Sequence, residues 1–121
     1  MDAPLRHTLP KAERLSGKTA IAALLDQGRY VSAGCLRVCY HAGNGLQHSR
    51  ILVSVPKRHF KRAVKRNLLK RRIRESYRLQ KDLLPAPVDI AFLYLDREVL
   101  PYEAIYAAVT AALTAVASKT E

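Results

Sequence analysis

The chain has 121 residues, 49% hydrophobic and 26% charged, with a formal net charge of +11. That length supports one domain with a single core. No apolar run approaches the roughly 20 residues of a membrane span, and the N-terminal MDAPLRHTLPK lacks an apolar signal-peptide core. The chain therefore reads as a soluble, cytoplasmic domain with no membrane role, whose charge calls for a polyanionic partner.

Residues 1–13 carry Pro4 and Pro10 and little periodicity, which predicts a partly ordered arm, with one domain over residues 14–119. Ser16 is placed to cap a helix over residues 17–27, whose apolar set is Ile21, Leu24 and Leu25, with Gly28 closing it. Gly17-Lys18-Thr19 imitates the end of a phosphate loop, but the preceding LPKAER is not the strand such a loop must follow.

The run CLRVCYH over residues 35–41 alternates as a strand, with Leu36, Val38 and Tyr40 on one face and Cys35, Arg37 and Cys39 on the other. Two cysteines at i and i+4 on a strand lie about 13 Å apart, too far for a disulfide, so both read as reduced packing residues. The Asn44-Gly45 pair signals a hairpin into a second strand at residues 50–55, ended by Pro56. A third strand is expected over residues 88–95, and Pro101 opens a last helix with Ile105, Val109, Leu113 and Val116 as its core stripe. The expected class is α+β, a small sheet packed with three helices in the order α-β-β-(β)-α-β-α, the bracketed short strand being unplaced.

The chemistry concentrates between Lys57 and Lys81. These 25 positions hold 12 of the 21 Lys and Arg and a single acid, Glu75, so the rest of the chain is neutral overall. On a helical wheel, Leu69, Ile73, Tyr77, Gln80 and Leu84 share one sector. Asn67, Arg71, Arg74 and Arg78 form another stripe, flanked by Lys70 and Lys81. Like charges at i, i+4 destabilise an isolated helix. A polyanion turns that repulsion into attraction, so the stripe reads as a nucleic-acid surface.

Nothing in the sequence assembles a catalytic or metal centre. His7, His41, His48 and His59 are scattered, and the acids Asp82, Asp89, Asp96, Glu98 and Glu103 around the third strand read as solvated. No serine sits in a nucleophile elbow.

The basic segment resembles the signature of the protein subunit of bacterial ribonuclease P. That family runs from a Ser-Val-Ser-Lys-Lys-like turn through Ala-Val and Arg-Asn-Arg to Lys-Arg and Ile-Arg-Glu. The matching residues are Ser54, Val55, Lys57, Arg58, Ala63, Val64, Arg66, Asn67, Lys70, Arg71, Ile73, Arg74 and Glu75. The element order follows the family from Arg14-Leu15 through the last helix. Leu68 departs from the pattern, standing where the third member of the triplet is Arg, and the turn over residues 56–62 is about one residue longer.

The resemblance implies the α+β sandwich of ribonuclease P proteins and of one ribosomal protein domain. It implies a division of labour as well. A catalytic RNA subunit, holding most of the Mg²⁺, cuts the 5′ leader from precursor tRNA, and the protein binds both RNAs without a small-molecule cofactor. The RNA-binding set carried over is Lys57, Arg58, Lys61, Arg62, Arg66, Asn67, Lys70, Arg71, Arg74 and Arg78. A cleft for the single-stranded leader would use Ile21, Leu25 and Tyr40, with Tyr40 either stacking on a base or lying in the core. The rival reading is a ribosomal or other RNA-structuring protein with no part in cleavage.

Overall fold

The structure is a computed structural model that describes residues 11–120. A short 3-10 turn, Lys11–Glu13, leads into α1 (Lys18–Gln27), β1 (Arg29–Ala33), β2 (Leu36–Ala42) and β3 (Arg50–Ser54). Then follow α2 (Ala63–Gln80), β4 (Val88–Tyr94) and α3 (Tyr102–Thr120). The further short strand is β1, which precedes the two expected strands rather than following them. Residues 1–10, with His7 and most of the expected arm, lie outside the described residues.

The four strands are ordered β1-β2-β4-β3, with only the β3–β4 pair parallel. This corrects the expected pairing at Asn44-Gly45. The tight hairpin is instead β1–β2, closed by the Ala33–Leu36 pair around Gly34 and Cys35. Gly34 supplies the positive φ of 55° that this turn needs. β4 inserts between β2 and β3, so the loop after β2 must cross its end. Asn44 serves that crossing, donating to Asp89 Oδ1 at 3.0 Å and to the His48 carbonyl at 3.1 Å.

The sheet has two different faces. On one, α2 and α3 cover the main core, which contains Leu36, Val38, Tyr40, Ile51, Val53, Ile90 and Phe92. Leu69, Ile73, Ser76, Tyr77 and Gln80 are the buried residues of α2, close to the expected sector, while Leu84 packs just beyond the helix. The buried Gln80 amide is paired, as burial demands. Gln80 donates to the Ser76 and Tyr106 carbonyls and accepts from Thr110.

On the other face, α1 covers a smaller cluster of Leu15, Leu24 and Cys39, with Ile21 and Leu52 packed against it. The chain enters beside β3, where Leu15 N–H donates to the Ile51 carbonyl at 2.7 Å. The cap of α1 is Gly17, at φ 91°, rather than Ser16. Gly28 ends the helix by close approach, not by a left-handed turn. Its φ is −76°, but a Cβ there would stand 2.4 Å from the Leu24 carbonyl and 2.5 Å from Cys39 Sγ. Cys35 lies in the hairpin turn and packs toward the main core, so it does not share a face with Cys39 as expected.

Candidate nucleic-acid interface

α2 is the crossover between two adjacent parallel strands, β3 and β4, so its packing against the core fixes which side turns outward. The preceding turn is held by His59 and Phe60 amides donating to the Pro56 carbonyl at 3.2 and 3.3 Å. Phe60 is buried and packs its ring 5.9 Å from that of Tyr94. This anchor leaves Lys57, Arg58, Lys61 and Arg62 exposed around it. The turn is therefore pinned at its centre.

The expected cations differ in what they do. Asn67 and Arg71 are exposed. Arg66 Nη1 donates to the Phe60 and Lys61 carbonyls at 2.7 and 2.9 Å, tying the turn to the helix. Arg78 makes a two-point pair with Glu75 at 3.0 and 2.7 Å, so it is a partly neutralised end of the stripe. Arg74 is half-buried, and its guanidinium pKa is lowered, first by burial and then by the charge of Arg14. Two guanidinium groups thus share one region. The sequence offered only Arg14's charge, because its bridge to Ile51 on β3 is a long-range contact. Lys70 is half-buried on the same flank, and Lys81 is held by Glu13 at 3.0 Å.

Leu68 lies in a groove with Arg71, Arg72, Glu75 and Tyr102, where Arg72 is pinned by donating to the Leu100 carbonyl.

A second feature opens beside α1. A cleft of about 440 Å³ is lined by Leu25, Tyr30, Arg37, Cys39, Leu52 and Leu93, among others. The strand register explains it, since Tyr30, Cys39, Ala91 and Leu52 form one row across all four strands. α1 covers only part of this face.

Of the three expected cleft residues, Leu25 lines the cavity and is half exposed, whereas Ile21 packs beneath α1. Tyr40 belongs to the opposite face, only 3% exposed, with its hydroxyl buried and unpartnered among the described residues. Of its two readings the core is correct. The alternation of β2 sends Tyr40 inward with Val38 and leaves Cys39 to the cleft.

The aromatic in the cleft is Tyr30, 49% exposed, with the Arg37 guanidinium 4.8 Å from its ring centre. Its phenol pKa is raised, chiefly by its contact with Cys39. The Cys39 thiol donates to the Leu24 carbonyl at 3.5 Å, and burial pushes its own pKa up.

Among the described residues, no three His, Cys, Asp or Glu side chains gather to hold a metal ion, and no helix is long and apolar enough to cross a membrane. Asp89 is committed to Arg50, which donates to both carboxylate oxygens at 2.9 and 2.6 Å. Asp96 accepts from the Glu98 amide at 2.8 Å.

The geometry defines a small basic α+β domain that presents a polycationic crossover helix together with a half-covered sheet cleft. The ribonuclease P family model matches residues 9–119. This chain belongs to the ribonuclease P protein family.

Among its relatives is the ribonuclease P protein component of Porphyromonas gingivalis, 43% identical over 86 residues, covering 69% of this chain and 63% of the relative. That of Chlorobaculum tepidum is 37% identical over 83 residues, covering 64% and 54%. The matches thus span less than two thirds of these relatives' lengths. In fold, the ribonuclease P protein of Thermotoga maritima is similar with a TM-score of 0.75 at 22% identity, covering 85% of this chain and 96% of that one. The Staphylococcus aureus protein gives 0.76 at 23% identity, covering 88% and 96%.

Proposed function

We propose that this chain acts as the protein component of ribonuclease P. It binds a catalytic RNA and the 5′ leader of precursor tRNA and assists Mg²⁺-dependent removal of the leader. The observation that carries the reading is the outward stripe of α2. Asn67 and Arg71 stand exposed, with Arg74 and Arg14 brought together and no acid paired to either among the described residues. Guanidinium groups bind phosphate with paired hydrogen bonds, so an RNA backbone is the ligand that relieves this arrangement.

In this reading the α2 stripe and the exposed turn at Lys57, Arg58, Lys61 and Arg62 take the catalytic RNA. The cleft takes the leader. Single strands are held by stacking bases on aromatic faces, and Tyr30 supplies that face in place of Tyr40, with Leu25 as an apolar wall. Arg37 lends a positive charge against the ring. In this reading Mg²⁺ is held mainly by the RNA, and the protein's part is binding and positioning.

Reconstitution tests the proposal. The pure protein, a ribonuclease P RNA and precursor tRNA are mixed at low Mg²⁺, and 5′ processing is measured. Faster processing than with RNA alone is expected, and no cleavage by protein alone. Robust cleavage without RNA, or no gain with it, overturns the reading.

A further inference from the structure

At the N-terminal end of α2 lies a cavity of about 450 Å³ lined by His59, Phe60, Lys61, Arg62, Lys65, Arg97, Glu98 and Val99. Lys61, Arg62 and Lys65 come from the basic stretch. Arg97 does not. It arrives from the loop after β4, because β4 returns parallel to β3 and brings that loop to the start of α2.

Three observations point toward an anion as its occupant. First, four cationic side chains face one carboxylate, Glu98, and no ion pair is formed by these five among the described residues. Second, Arg62, the N-cap of α2, makes no side-chain cap, so the first amides of the helix carry no such partner. Orphan helix amides and the positive end of the helix dipole favour an anion. Third, the His59 ring nitrogen Nδ1 is buried and has no hydrogen-bond partner among the described residues. An unpartnered buried ring nitrogen is costly.

We infer that this pocket clamps a single backbone phosphate of the RNA partner, with Arg97 closing it from outside the basic stretch. The inference rests on the RNA-binding reading above. The site would fix where the RNA backbone begins its run along α2, since the next cations toward the C-terminus are those of the stripe. Phosphate oxygens would accept from the Lys61, Lys65 and Arg97 side chains and from the first amides of α2.

Arg97 tests the idea, because its side chain faces the cavity and makes no internal bond among the described residues. Affinity for a ribonuclease P RNA is measured against salt for the wild type, Arg97→Ala, Arg97→Lys and Lys65→Ala. Losing one phosphate contact reduces the salt slope by about one ion. Arg97→Ala and Lys65→Ala should each show that loss, with affinity down by up to about tenfold near physiological salt, while Arg97→Lys keeps the slope.

A second arm uses inorganic phosphate on the free protein, followed by NMR at the Ala63 and Val64 amides and the His59 ring. Saturable shifts are expected in the wild type and should vanish in Arg97→Ala. Wild-type affinity and slope in Arg97→Ala would overturn the inference. A reduced slope without any phosphate-dependent shift would also overturn the pocket, leaving Arg97 as a distant charge. Failure of the wild type itself to bind RNA would instead remove the proposed function.

Discussion

Replacing Ile73 and Arg71 separates folding from binding on one helix. Ile73 is fully buried on α2 and belongs to the main core. Ile73→Ala removes its outer carbons and leaves a cavity in a closely packed interior, at a cost of about 2–5 kcal/mol. At roughly 4 °C per kcal/mol for a domain of this size, the melting temperature should fall by about 8–20 °C. Arg71 lies two residues earlier but is exposed. Arg71→Ala should therefore change stability by less than about 0.5 kcal/mol. Arg74→Ala should also be nearly neutral, because relief from Arg14 offsets the packing its half-buried stem gives up. Each Arg variant should bind RNA more weakly and flatten the salt dependence by roughly one ion. Ile73→Ala should bind with the wild-type slope at temperatures where it remains folded. Melting curves and salt titrations on the three variants give the answer. Full affinity and slope in both Arg variants, with direct loss of binding in a thermally unchanged Ile73→Ala, would refute the face assignment.

Tyr30→Ala should weaken binding of leader-bearing precursor by about 1–3 kcal/mol while sparing mature tRNA and the RNA subunit, and Tyr30→Phe should restore most of it; filter binding with and without a leader reads this. Gly28→Ala should destabilise the protein and lift α1 from β2, since the new methyl group would meet Leu24 and Cys39. Tryptic cleavage at Lys18 should then speed up. The Tyr77 phenol is pushed up to about 12, first by burial and then by Glu13. An unfolded tyrosine ionises near 10, so Tyr77's contribution is full below pH 10 and is lost as pH climbs toward 12. Tyr77→Phe should shallow that alkaline decline in a denaturation series, and an unchanged pH profile would count against burial as the cause.

The amphipathic character of α2 could be read directly from its residues, because the signal is local and both stripes repeat at the helical period. Ser76 escaped because its hydroxyl finds a partner within the helix, at the Arg72 carbonyl. Strand neighbours were less legible. Asn44-Gly45 has the chemistry of a hairpin turn, yet the insertion of β4 depends on contacts dozens of residues apart. β1 was obscured because RYVSA is short and mostly exposed. Without β1, Tyr30 had no row to join, and Tyr40 remained a candidate for the cleft. Gly28 marked the end of α1 as expected, but through crowding that only the packed structure reveals. Arg14 and Arg97 show the same limit, since each joins the basic surface through a fold contact rather than a sequence run.

The meeting of Arg14 and Arg74 has a further consequence for the chain's life in a cell. A surface of unneutralised like charges makes the free form the less stable one. A polyanion that binds only the folded form adds stability by mass action, about 2.7 kcal/mol at a hundredfold excess over Kd. On the proposed function, copies without RNA therefore visit opened states more often and meet proteases sooner. Turnover of these orphan copies would match the amount of protein to the amount of RNA, with no dedicated regulator.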